Sequence, residues 1–397
     1  MSFSNVKGHA IFSLAVAIIL STAIYSEAQQ FLEYDNGVLH LKLDLIRGGA
    51  IAYISTTGST RNLVNIADEG RYIQQSYYAG KAVNRQAEGQ SPSWSPWSWN
   101  PIQVGDYAGN RAKILASAKT GDTLYVKCTP MLWDMNNKPA EAEMEQWTIL
   151  KANVLQVRCK LTCHRTDNIY GEGISNDQEL PATYPISALS KLYSYFGAAP
   201  FTNATTNNPT VVNLSSGFWG RYTATENWMA FVDNTNWGMG VYNPTCTSFL
   251  AGMAGSPGGE TTDGSTCYIA PVKKEILNKT SVYEYNYYVI IGAVSDIRSK
   301  VYALHSGATV SRSPHAAGIV TAKALALTLD NDRIVFHIAC QGAYALRVFD
   351  AAGNTHAIYH GNDQGSFMLQ RAMLSRGVYF AQLTSASGSV IKEIAAF

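Results

Sequence analysis

The stretch that decides the fold is MEQWTILKANVLQVRCKLTCHR, Met144 to Arg165. Apolar and polar residues alternate through it, and Leu155, Val157, Cys159, Leu161 and Cys163 fall on one face of a period-2 strand. The Lys-Ala-Asn step in the middle predicts a tight turn, so the segment reads as an antiparallel hairpin with one face in a core. The same pattern recurs outward. GVLHLKLDL turns at Arg47-Gly48-Gly49 into AIAYISTTGST, and RAKILASAKTGDTLYVKCTPMLW turns at Gly-Asp. NWMAFVDNTNWGMGVYNP and SVYEYNYYVIIGAV follow in kind. Only short pieces near Ile186–Tyr193 and Asp296–Leu304 carry a helical stripe. A parallel α/β fold needs helices between its strands, and these are missing, so the expectation is all-β: a large antiparallel supersandwich.

The chain has 397 residues, 15% of them charged, and a net charge of +1. A nucleic-acid binder would need a basic stripe and a disordered chain far fewer aromatics, so both classes are excluded. Residues 1–28 read as a signal peptide: Lys7 and His9 precede the apolar run IFSLAVAIILSTAIY, and Ser26-Glu27-Ala28 offers a cleavage site. A retained anchor is the competing reading, but the run is shorter than the roughly 20 residues a membrane span takes. No other segment reads as a membrane span, so the mature chain is expected to be secreted or held at the cell surface. Residues 29–304 form the expected main domain. His305 to Gly318, HSGATVSRSPHAAG, reads as a linker, and 319–397 as a small Ig-like β-sandwich of four or five short strands.

The chemistry concentrates between Arg61 and Asn110. Trp94, Trp97 and Trp99 sit among Tyr77, Tyr78, Arg71, Gln74, Gln75, Asn100 and Gln103. The C–H face of a pyranose stacks on indole or phenol rings while amides and carboxylates bind its hydroxyls, so these residues are the expected sugar-binding set, with Trp228 beside them. Burial beneath the sheet is the structural alternative for each ring. Pro92, Pro96, Pro101, Gly105 and Gly109 place the cluster on an ordered loop.

Cleavage of a glycosidic bond takes two facing carboxyl groups. Glu179, in DQELPATYP, is the first candidate, with an ion pair to Arg165 or Arg221 as its structural alternative. Asp106 follows the Trp cluster and would be the partner, or else an Asx-turn residue. Glu226, beside Trp228, is the third, although capping a turn fits it better. Asp68 and Glu69 next to Arg71 read mostly as an ion-pair knot. An anomeric-carbon epimerisation would call on His164 or His40 with a carboxylate, although both fit a structural role better. A lyase would use Tyr77 or Tyr78 as base, with Arg71 or Arg221 neutralising a uronate.

No phosphate loop, HExxH, GxSxG or paired CxxC occurs, so neither a cofactor nor a metal is expected. Ca²⁺ between loop Asp and Asn side chains would lack any EF-type spacing. Of the six cysteines, Cys159 and Cys163 read as core residues, while Cys246 and Cys267 flank a Gly-rich loop where export permits a disulfide.

Two resemblances add to this reading. NGVLHLKLDLIRGGAIAYIS, RNLVN, GRYIQQSYY, WNPIQVGD, QELPATYP, ENWMAFVDNTNWGMGVYNP and YEYNYYVIIGAVSDIR together resemble the galactose-mutarotase-like supersandwich proteins. That fold is similar to domains of sugar epimerases, polysaccharide lyases, glycoside hydrolases and noncatalytic carbohydrate modules, which implies a carbohydrate ligand and no particular reaction. ALRVFDAAGN (Ala345 to Asn354), LSRGVYFAQL (Leu374 to Leu383) and the final VIKEIAAF resemble the C-terminal sorting domain of bacterial type IX secretion. This resemblance implies a secretion-machinery partner and no catalysis. The expected function is a secreted glycoside hydrolase acting through a carboxylate pair in an aromatic-lined cleft. The alternatives are a noncatalytic carbohydrate-binding surface protein and, more weakly, a polysaccharide lyase.

Overall fold

The computed structural model describes residues 30–212, 219–310, 325–329, 333–339, 342–350, 355–371, 374, 377–385 and 388–396. The expected signal peptide and most of the expected linker lie outside the described residues. The described residues fall into two compact units that part between Val301 and Tyr302.

The deciding hairpin forms as strands Ala142–Lys151 and Val154–Cys163, paired antiparallel with Lys151 opposite Val154. The turn is therefore the two residues Ala152-Asn153, with Ala152 at φ 49°. Leu155, Val157, Cys159, Leu161 and Cys163 are all buried, as the alternation requires. Around this hairpin an eight-stranded antiparallel sheet runs in the order Lys191–Ser194, Trp228–Val232, Trp237–Tyr242, Val282–Ala293, Val154–Cys163, Ala142–Lys151, Thr123–Thr129 and Lys113–Thr120.

The second large sheet has ten strands. Its main path is Phe31–Asp35, Leu39–Asp44, Ala50–Thr56, Ile73–Ser76, Ser175–Thr183, Thr266–Ile276, Ser248–Ala254 and Gly220–Thr223, with Pro101–Ile102 and Met131–Leu132 attached beside it. One apolar cluster takes side chains from both sheets, Leu41, Ile54 and Ile269 from one and Val126, Met144, Val157 and Val289 from the other. The fold is thus all-β, with the core between two antiparallel sheets. The turn at Gly48 depends on the missing side chain. Gly48 has φ +61°, and a Cβ there would lie 1.9 Å from the Gln103 carbonyl oxygen.

Two local expectations change. Ile186–Tyr193 forms no helix, and its end is the strand Lys191–Ser194. Conversely, the helical stripe at Asp296–Leu304 extends to the helix Val294–Val310, which takes in the opening of the expected linker. No helix among the described residues is long and apolar enough to cross a membrane.

The second unit has two antiparallel sheets of its own. Leu325–Leu329, Arg333–Ile338 and Gly365–Gln370 form one, and Thr355–Asn362, Ala343–Asp350, Gly377–Ser385 and Gly388–Ala396 form the other. Phe336, Leu346, Val348, Ala381 and Leu383 meet in its core, giving a small β-sandwich.

Candidate functional site

The strand Ser175–Thr183 is central in the ten-stranded sheet, between Ile73–Ser76 and Thr266–Ile276. Its alternation sends Gln178 and Leu180 inward and leaves Asp177 and Glu179 on the opposite face. In the neighbouring strand, Cys267 and Ile269 point to the main core, whereas Tyr268, Ala270 and Val272 form a second cluster with Ala182, Ala254, Tyr184 and Leu250. Strands in this part of the sheet are therefore covered on both faces. The covering layer is largely the loop-rich segment 61–110, and it leaves a cavity of about 870 Å³ against the sheet.

Glu179 stands on the floor of this cavity. Strand register puts Ser76 opposite it on one side and Val272 on the other. The Tyr268 hydroxyl donates a short hydrogen bond to Oε1, and the Tyr78 hydroxyl donates to Oε2 at 3.5 Å. The Ser76 hydroxyl faces the same carboxyl without a well-formed hydrogen bond. Burial raises the Glu179 pKa above the ordinary carboxylate value, and the hydroxyl groups offset only part of that effect. Burial and the neighbouring Glu179 together push Tyr78, Tyr184 and Tyr268 well above the ordinary phenol value. The phenols are thus neutral donors, and the carboxyl holds its proton more tightly than an exposed one does. Neither Arg165 nor Arg221 pairs with Glu179. Arg165 lies over the Trp99 ring, and Arg221 pairs with Asp177 at 2.6 Å.

Aromatic rings form much of the wall. Trp94 meets Trp97 edge-on at 5.2 Å and Trp133 at 5.5 Å, and Trp97 meets Tyr78 at 6.2 Å. Tyr184 leans on Tyr268 at 5.0 Å, and Trp219, about half exposed, also lines the cavity. Rings in such a cavity offer faces for C–H stacking. Of the expected binding residues, Trp94, Trp97, Tyr78, Arg71, Gln74 and Asn100 line the cavity. Three of these are held by the protein itself. Arg71 is bonded through Nε, Nη1 and Nη2 to Asp68, Asn65 and Gly264. The Gln74 amide bonds the main chain of Glu69, Arg71 and Val104. Asn100 joins the Tyr77 carbonyl to the Trp97 indole N–H.

The remaining expectations need correction. Trp99 is fully buried, with Nε1 donating to Glu141. Tyr77 is buried with its hydroxyl on Gln75, and Gln75 and Gln103 join a buried amide chain that reaches Gln146. Trp228 is also buried. None of these five can stack on or bond a ligand in the cavity, because their polar atoms are satisfied inside the core.

Asp106 borders the cavity but is only 1% exposed. Its carboxylate accepts hydrogen bonds from the main-chain N–H groups of Ala108, Asn110 and Asn137, and from the Asn110 amide. It is the Asx-turn residue of this loop. Glu226 is fully buried away from the cavity, paired with Arg298 at 2.7 Å and accepting from the Trp228 indole. Asp68 pairs with Arg71 as expected, but Glu69 pairs with Arg47 at 3.4 Å. His40 and His164 lie near Glu33 and Glu143 and do not border the cavity. Cys246 and Cys267 are free thiols, and Cys267 donates to the Leu189 carbonyl. Among the described residues no group of three or more His, Cys, Asp or Glu side chains is placed to hold a metal ion.

Asp177, Trp133, Tyr184, Trp219 and Tyr268 were not singled out by the sequence reading. For Asp177 the signal was present, since it is two residues before Glu179 in the same strand. Tyr268 and Trp133 carry no local signal, because they reach the cavity only through sheet pairing and loop packing.

No family model matches the chain, and no curated protein matches its sequence. The solved structures to which it is similar include galactose mutarotase-like proteins at low identity. A galactose mutarotase related enzyme from Lactobacillus acidophilus shares 9% identity at a TM-score of 0.43, over 66% of this chain and 97% of that one. A putative aldose 1-epimerase from Klebsiella pneumoniae shares 11% at 0.37, over 70% and 83%. A 4-alpha-glucanotransferase from Thermococcus litoralis shares 8% at 0.37, over 66% and 37%.

Proposed function

We propose that this chain is a carbohydrate-directed protein that cleaves a glycosidic bond, with Glu179 as general acid. The observation that carries the reading is a carboxyl held toward its protonated form by burial, bonded by two phenols, on the floor of a cavity walled by Trp94, Trp97 and Trp133. In this reading the Glu179 proton passes to the leaving glycosidic oxygen as the bond to the anomeric carbon breaks. Asp177 takes the place expected for Asp106. It shares the Glu179 face two residues away, a Cα spacing of about 6.6 Å. In this reading Asp177 would be the second carboxylate and accept the proton of the attacking water.

The second reading, noncatalytic glycan binding, is favoured by one observation. Asp177 is bonded to Arg221, and the other carboxylates around the cavity are held by Arg71, Arg47 or loop amides. A lyase has less support: Arg71, the cation bordering the cavity, is already bonded at each of its side-chain nitrogens that could face a uronate. An epimerase of the His–carboxylate kind lacks its histidine among the described residues bordering the cavity.

The deciding experiment incubates the chain with a polysaccharide panel and measures released reducing ends. Release that is abolished in Glu179→Gln and Asp177→Asn, with binding retained, supports hydrolysis. Binding without release supports the second reading, and neither binding nor release overturns both. In the same proposal residues 1–28 direct export and residues 319–397 engage the secretion machinery. A chain lacking 319–397 should then be retained inside the producing cell envelope.

A further inference from the structure

The cavity's charge pattern bears on its substrate class, and this step rests on the carbohydrate reading above. Five carboxyl residues border it: Asp68, Glu69, Asp106, Asp177 and Glu179. Arg71 is the one cationic residue among the described residues bordering it, and its guanidinium is bonded to Asp68 and to main-chain carbonyls. Arg47 and Arg221 reach Glu69 and Asp177, so each cation is charge-paired with an acid of the cavity; Arg47 also pairs with Asp44, and Arg221 stays half exposed at the edge. Asp106 has no cationic partner and is held by N–H groups alone.

The polar groups that line the cavity are therefore neutral, negative or, for Arg71 and the edge residue Arg221, cations already paired with an acid. An anionic sugar entering here would give up its hydration without meeting a free cation, and would approach carboxylates across a low-dielectric wall. The indole faces act in the same direction, since their negative quadrupoles attract C–H groups and ammonium groups and repel anions. The phenols of Tyr78 and Tyr268 could donate to an anion, but their hydroxyls are engaged with Glu179.

We propose that the cavity is selective for glycans that carry no carboxylate or sulfate, accepting uncharged and amino-bearing sugars and rejecting uronates and sulfated sugars. The test is a glycan array of uncharged, amino-bearing, uronate and sulfated oligosaccharides, probed with the full chain and with Trp97→Ala. The expected result is that signals lost in Trp97→Ala come from uncharged or amino-bearing glycans, with uronate and sulfated counterparts of the same length at least tenfold weaker. Trp97-dependent binding of uronate or sulfated glycans at equal or greater strength would overturn this inference and leave the carbohydrate reading standing. A folded chain with no Trp97-dependent signal on any glycan would overturn both.

Discussion

Glu226 gives the sharpest separation between a structural and a functional carboxylate. Its side chain is fully buried, and Arg298, only 12% exposed, donates to both of its oxygens at 2.7 and 2.9 Å. The Trp228 indole and the Phe201 main-chain N–H donate to it as well, at 3.0 and 2.9 Å. Through Arg298 the pair ties the helix Val294–Val310 to the Ala204 carbonyl and to the face of Tyr195. Glu226→Ala would leave a guanidinium, an indole N–H and a main-chain N–H without their shared acceptor. Removing one partner of a buried ion pair costs about 3–5 kcal/mol. For a unit of this size each kcal/mol lowers Tm by about 2–4 °C, so the fall should be roughly 6–20 °C. Differential scanning calorimetry reads that fall directly. Glu226→Leu combined with Arg298→Met should recover much of it, because apolar replacement of a buried pair is often neutral. A single variant that keeps its Tm within about 1 °C, and loses glycan binding or cleavage instead, would refute the structural assignment.

Four further outcomes follow from the same geometry. Trp97→Ala should weaken glycan binding about 30-fold, the equivalent of a 2 kcal/mol aromatic contact, while Trp99→Ala should lower Tm through a cavity cost of about 3–5 kcal/mol; calorimetric titration and thermal melts distinguish the two. Because burial raises the Glu179 pKa in the fold, protons bind more tightly there than in the unfolded chain, so its stability contribution is full below the unfolded value near 4.5 and is lost as pH rises through the folded value. Glu179→Gln should therefore gain stability relative to the parent as pH rises across that window, as followed by denaturant unfolding at several pH values. Asp106→Ala should loosen the 106–110 loop, since Ala108, Asn110 and Asn137 all donate to that carboxylate, and hydrogen exchange should quicken there. Dithiothreitol should leave Tm unchanged, because Cys246 and Cys267 are both free.

The sheets were legible in the sequence because their information is local. In the hairpin from Met144 to Arg165 the face of each residue follows from counting by two, and Leu155 to Cys163 obeys it. The site was legible only in part because its information is not local. Gln74 and Gln75 show the limit: adjacent residues on a strand face opposite ways, so one borders the cavity and the other joins the core amide chain. Trp97 and Trp99 show another. They are two apart in the three-residue strand Trp97–Trp99, yet one indole lines the cavity and the other lies under Arg165, so the count by two does not hold in so short a strand. For Glu226 a structural role is the better reading of the sequence, but its kind is not local: the partner Arg298 lies 72 residues away on a helix that nothing in Thr-Glu-Asn-Trp announces.

The contrast between Glu179 and the other acidic candidates explains why the proposal places the proton donor in the sheet and not in the aromatic loop. A loop carboxylate such as Asp106 is surrounded by main-chain N–H groups that have no strand partner, and they claim it. A carboxylate in mid-sheet meets the opposite condition. Glu179 pairs with Ser76 and Val272 in the two neighbouring strands, and its carboxyl is met by the side-chain hydroxyls of Tyr268 and Tyr78. Hydroxyls on neighbouring strands offset desolvation less fully than a guanidinium or a nest of amides would, and the carboxyl keeps a raised pKa. In the proposed reading a rigid central strand would supply a fixed proton donor, while the loop segment 61–110 would supply rings whose identity can change without disturbing it. On that proposal, substitutions at Trp94 or Trp97 should alter which sugar is held, and substitutions at Tyr268 or Ser76 should alter the proton affinity of Glu179.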